Sequence, residues 1–277
     1  MLNGRFACLS LLIILLLASN RIEAESRRRI AAFNVGLQPA LTLASAAIQG
    51  KLRTRGDWWR CIRAGAIAGG GFYEAKVLDG NGHTRAALAT ASLASSITRN
   101  AAAGRPELAR VGMPIGPLWL DASTPFDKDP VAPLHLQTSV AELVAFALER
   151  QENDRIVFRD GLIAFRKSGR YEHDRRRFTG YTFGVFPGTS DDATQKTWHH
   201  ETVHVIESMQ ADSVEPPACA WLRRCNPLRR KFGILTWEPL QLGVLPASGG
   251  LLLSKQDYPE RFTEIEATWL AERRAPR

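Results

Sequence analysis

The stretch Trp198-His199-His200-Glu201-Thr202-Val203-His204 constrains this chain more than any other, because its H-E-x-x-H pattern has chemical meaning only on a helix. On a helix, His200 and His204 lie four residues apart and stand one above the other on a single face. Two imidazoles so placed can grip one metal ion, and Glu201, a step around the helix, can reach a water at that ion. Val203, Val205 and Ile206 suit a buried face, and Thr197 or Asp192 offers a cap for the helix start. The competing reading is a chance match or a metal-free relic.

Composition narrows the setting without deciding it. The chain has 277 residues, 45% hydrophobic and 23% charged, as expected of a globular protein with a sizeable core. Its net charge of +8 would suit nucleic acid, but no basic stripe with interleaved aromatics and no recognition helix is present, so no nucleic-acid partner is expected. Attraction to an anionic membrane surface, or plain solubility, accounts for the charge equally well.

At the N-terminus Arg5 precedes an apolar run from Phe6 to Ala18, which has the form of a secretory signal with cleavage near Ala18 or Ala24. Arg27, Arg28 and Arg29 after the run favour the opposite orientation, that of a short anchor. Export to the periplasm or beyond is the first expectation and membrane association the second. Cys219 and Cys225 are spaced to close a small disulfide loop or to remain as thiols, and Cys61 is left unpaired either way.

Residues 1–24 are thus read as signal or anchor and residues 25–110 as a helical region, with a catalytic part over 111–277. Ile30 to Gly50 carries no charge, but Asn34, Gln38 and Pro39 weaken it as a membrane span; a buried or membrane-touching helix kinked at Pro39 is expected. Two further segments rich in Ala, Gly and Ser follow, parted by the turn signal Asp79-Gly80-Asn81-Gly82. Gly69-Gly70-Gly71 lacks the ending of a phosphate loop.

Beyond Val111 the texture is that of strands. Pro114 to Leu120 reads as extended, and Ser139 with Glu142 reads as a capping box opening a helix with an apolar face at Val140, Leu143, Val144, Ala147 and Leu148. Asp160-Gly161 between two apolar runs signals a hairpin, Lys167–Arg177 a solvated loop, and Tyr181–Phe186 a third strand before the motif helix.

A catalytic metal site needs a third protein ligand. The metzincin position is occupied by Gln210, so that option fails. A second helix, opened by Asp257-Tyr258-Pro259-Glu260, carries Glu264-Ile265-Glu266-Ala267. With this E-x-x-A pattern the two helices resemble the gluzincins, zinc metallopeptidases with H-E-x-x-H on one helix and a Glu ligand on another. The resemblance covers those two helices only, and Thr268 replaces the acidic residue usual four positions after the ligand.

It implies an α+β, zincin-like fold with a small antiparallel sheet. His200, His204 and Glu264 would be the zinc ligands, with Glu266 as the alternative third, and Glu201 the base that activates water for peptide-bond hydrolysis. Tyr258, Tyr181 and His173 are candidate donors to the oxyanion, and His199 is read either as a support behind a metal ligand or as structural. The expected cofactor is Zn2+ and the expected partner a peptide or protein substrate. The alternatives are a membrane-associated scaffold without activity and a zinc hydrolase of a non-peptide amide.

Overall fold

The computed structural model describes residues 27–128, 132–173, 176–211, 230–232, 235–241 and Ala267. Among them the chain is α+β, with five helices, two small sheets of five and four strands, and a two-stranded ribbon. The N-terminal apolar run, Cys219, Cys225, Tyr258, Glu264 and Glu266 lie outside the described residues.

Three helices build the N-terminal part: α1 (Arg27–Ile48), α2 (Arg55–Gly80) and α3 (Thr84–Ala102). A capping box starts α2: Thr54 Oγ1 accepts the Asp57 amide at 3.2 Å, and Asp57 Oδ2 accepts the Thr54 amide at 2.9 Å. The turn expected at Asp79–Gly82 ends it, with Gly82 at φ 81°.

The glycines of α2 serve helix packing. A Cβ on Gly65 would stand 2.6 Å from the Pro39 nitrogen, and one on Gly69 would stand 2.6 Å from the Asn34 carbonyl oxygen. Backbone therefore touches backbone, and α1 turns a polar stripe of Asn34, Gln38, Thr42 and Ser45 inward, every one fully buried. By length and composition Ala31–Ile48 could cross a membrane, yet 56% of it is buried within the protein.

One core joins this helical part to the rest. Ala64, Ala68, Phe72 and Ala75 of α2 and Ala87, Ala91, Ala94 and Ile97 of α3 meet Trp198, Val205, Ile206 and Met209 of the motif helix α5 (Gln195–Ala211). Leu162, Ala164, Phe165 and Phe186 from the strands complete it.

The run from Pro114 to Leu120 is a hairpin rather than one extended strand. β1 (Arg110–Ile115) and β2 (Leu118–Ser123) pair about Gly116-Pro117, with Gly116 at φ 58°. They form a five-stranded sheet with β3 (Leu134–Ser139), β10 (Arg230–Phe232) and β11 (Leu235–Gln241), in the order β1-β2-β3-β11-β10.

Helix α4 (Val140–Glu152) starts where the capping box predicts but faces the other way. Glu142, Ala145 and Glu149 are buried, whereas Leu143, Val144 and Leu148 are exposed. Polar bonds fix this orientation. The Glu142 carboxylate lies against Gly184 and 3.4 Å from the Val185 amide, while Glu149 meets Asn153 and Tyr181. Phe146 supplies the apolar contact, edge-on to Phe165 and Phe186.

The hairpin expected at Asp160-Gly161 joins β4 (Arg155–Arg159) and β5 (Leu162–Lys167), with φ 52° and 99° at its two turn residues. The stretch read as a solvated loop contains a small ribbon, β6 (Tyr171–His173) with β7 (Arg176–Phe178). The third strand folds back on itself at Gly184 (φ 62°), giving β8 (Gly180–Phe183) and β9 (Phe186–Ser190). The second sheet has the order β4-β5-β9-β8, so β8 is its edge beside the motif helix.

Candidate metal centre

Helix α5 is capped by Thr194, not by Thr197 or Asp192. Its Oγ1 accepts the Thr197 amide at 3.3 Å and its carbonyl accepts the Trp198 amide at 3.1 Å. Asp192 is engaged with Arg170 at 2.8 Å instead. The apolar side chains Trp198, Val205, Ile206 and Met209 hold the helix in the core, which leaves His200 and His204 half-buried on another face.

Those two histidines meet. Their Nε2 atoms are 3.2 Å apart, with ring centroids 4.8 Å apart and the rings nearly perpendicular. Two nitrogens bound tetrahedrally to zinc at about 2.0–2.1 Å stand about 3.3 Å from each other. The pair therefore has the bite of a zinc chelate. The same distance suits a hydrogen bond between the rings, and metal content separates the two cases.

The tautomer of His204 follows from its neighbour. Nδ1 lies 2.7 Å from Glu207 Oε2, and a carboxylate only accepts, so Nδ1 carries the hydrogen. In neutral His204 the lone pair is then on Nε2, the atom facing His200. A carboxylate behind a histidine is the usual support of a metal ligand. Glu207, which the sequence reading does not single out, stands three residues after His204 on the same helix, a spacing that brings the two side chains together.

Glu201 is buried, 3% exposed, and lies against β8. Thr182 Oγ1 stands 2.8 Å from its Oε2 and 3.0 Å from its main-chain oxygen. Gly180 leaves the space that the other side of the carboxylate occupies.

His199 is held elsewhere. Its Nδ1 lies 3.2 Å from both carboxylate oxygens of the fully buried Asp79 at the end of α2, and its Nε2 lies 2.9 Å from Gln195 Nε2. Thr84 adds a bond to Asp79 at 2.6 Å, so His199 ties α5 to the α2–α3 turn.

Tyr181 is committed away from the histidine pair: its hydroxyl donates to Glu149 and lies 3.1 Å from Asn153 Nδ2. Burial holds both Tyr181 and Tyr171 protonated far above the usual tyrosine range, with the Glu149 charge adding to the effect.

Among the described residues no further His, Cys, Asp or Glu joins the pair to make a ligand set of three. Ala267, three positions after Glu264, is helical and fully buried against Val203 of α5 and Val77 of α2. Comparison with known protein families, curated proteins and solved structures finds no match to the chain.

Proposed function

We propose that the chain is a zinc-dependent metallopeptidase of gluzincin type, exported or membrane-associated. The observation that carries this reading is the convergence of His200 and His204, Nε2 to Nε2, with Glu207 fixing the tautomer of one of them. The contact of Ala267 with Val203 supports a third ligand from the same segment, and Glu264 is the proposed one, with Glu266 as its rival.

A bound zinc ion would supply Lewis-acid polarisation of a carbonyl and would acidify water. His200 and His204 would hold it through Nε2. Glu201 would accept a proton from the attacking water and return it to the leaving amine, with Thr182 orienting its carboxylate. The edge strand β8 beside α5 supports a zincin-like arrangement, in which a peptide would lie along that edge.

Elemental analysis of the wild type beside His204→Ala tests the reading. One zinc per chain, lost in the variant, is expected; its absence from protein purified without chelator would leave only a pair of hydrogen-bonded histidines. Glu201→Gln should keep zinc and lose hydrolysis, whereas a scaffold would lose nothing measurable. Bound zinc in Glu264→Ala and Glu266→Ala identifies the third ligand.

A further inference from the structure

We infer that Lys76 and Asn34, on the first two helices, are positioning residues for the metal-binding pair and act through Glu207. This rests on the zinc reading above. Lys76 is 1% exposed. Its ammonium lies 2.9 Å from Asn34 Oδ1 and 3.8 Å from Glu207 Oε1. The other oxygen of Glu207, Oε2, is the one that holds His204 Nδ1 at 2.7 Å. Asn34, Lys76, Glu207 and His204 thus form one chain of contacts, buried at Asn34 and Lys76 and half-buried at Glu207 and His204, running from α1 to the metal-facing nitrogen.

The physical argument is one of division of labour on a single carboxylate. Among the described residues Glu207 Oε1 is buried and accepts no hydrogen bond, and its ion pair with Lys76 at 3.8 Å draws that oxygen to one side. With Oε1 drawn towards Lys76, Oε2 is left aimed at His204. A buried ammonium is tolerated only beside a counter-charge and an oxygen acceptor, and Glu207 and Asn34 provide one each. The close approach of α1 to α2 at Gly69 brings Asn34 within reach of the lysine. The small-residue helices therefore have a purpose in the site, as the support of its supporting carboxylate.

Zinc affinity, measured by chelator competition, tests this with Lys76→Met, Glu207→Gln and the double variant, alongside the absorption band of the cobalt-substituted proteins. Each single variant is expected to bind zinc about tenfold more weakly and to shift the cobalt band, with no further loss in the double variant. Lys76→Arg should restore most of the affinity. If Lys76→Met does not fold, Lys76→Gln takes its place, since its amide still reaches Asn34 but carries no charge towards Glu207. Wild-type affinity in the folded lysine variant, or losses that add in full, would overturn the inference while leaving the metal reading intact. A wild type that holds no zinc overturns both.

Discussion

Gly180 and Glu201 are packed so closely that a Cβ on the glycine would stand 2.9 Å from one carboxylate oxygen of the glutamate and 3.0 Å from its Cγ, with Thr197 Cγ2 nearer still at 2.6 Å. The edge strand β8 can approach the motif helix only because this position has no side chain. Gly180→Ala should therefore push the Glu201 carboxylate off its bond with Thr182 without touching the histidines. The expected outcome is a stability loss of about 1–3 kcal/mol and, under the proposed zinc-peptidase function, a fall in turnover of about a hundredfold with zinc content unchanged. Zinc titration and peptide hydrolysis on the same preparation check it. Loss of zinc together with activity would show that β8 also shapes the metal pair.

A second close approach fixes the helical part. At Gly69 a Cβ would meet the Asn34 carbonyl oxygen at 2.6 Å and the Val35 Cα at 2.8 Å, and backbone atoms cannot swing aside as a side-chain tip can. Gly69→Ala should force α1 away from α2, lower stability by about 2 kcal/mol or more, and separate Asn34 from Lys76. Gly70→Ala is the control: among the described residues no atom outside its own stretch of helix lies within 4 Å of a Cβ there, and alanine favours helix. Urea unfolding of the two variants should give opposite signs, destabilised for the first and neutral or stabilised for the second.

How far these features were legible depends on whether their cause is local. The motif helix, the three N-terminal helices and the hairpin at Asp160-Gly161 follow from spacing, small-residue content and turn chemistry that lie within a few residues of each other. The orientation of α4 does not. Its apolar spacing points Leu143, Val144 and Leu148 inward, but Glu142 has its partner in the turn between β8 and β9 and Glu149 has one on β8, and no window around α4 contains them. The strand read over Tyr181–Phe186 hid a turn because Gly184 looked like any glycine in an aromatic run, and only its φ of 62° beside the Glu142 carboxylate sets it apart. Glu207 is not singled out in the sequence reading, although its spacing of three from His204 is local. Lys76 and Asn34 are not local to it, since they reach the site through α1–α2 packing.

Glu149 gives the fold a pH dependence with a definite sign. Burial pushes its carboxyl up to about 7, against the hydrogen bonds from Tyr181 and Asn153, which favour the charged form, and with a smaller push from the Glu152 charge. The folded state thus holds this proton more tightly than the unfolded chain, whose carboxyl titrates near the ordinary glutamate value. The corresponding stability is present in full below that ordinary value and is lost as pH rises through about 7. Glu149→Gln removes this slope. Relative to wild type, the variant should gain on the order of 3 kcal/mol between pH 4 and pH 8. Chemical denaturation across that range checks it, and parallel curves for the two proteins would mean that Glu149 is charged at neutral pH.

The adjacent residues His199 and His200 separate fold from chemistry most sharply. His199 faces a carboxylate with no exposure to solvent, Asp79, and its removal leaves Thr84 as the one other side chain bonded to that charge among the described residues. His199→Leu should cost about 2–4 kcal/mol, the penalty for stripping a partner from a buried charge, because the leucine cannot donate to Asp79. Under the proposed zinc function, zinc stoichiometry in the folded variant should be that of the wild type, since His200 and His204 meet on another face of the helix and keep their contact. His200→Leu should do the reverse, lowering zinc content to near zero while leaving the metal-free protein about as stable as before. Thermal melts with and without chelator, run on both variants, read the two effects separately. Zinc loss in the His199 variant at full folding would mean that the Asp79 clamp sets the pitch of α5 at the ligands as well as its place in the core.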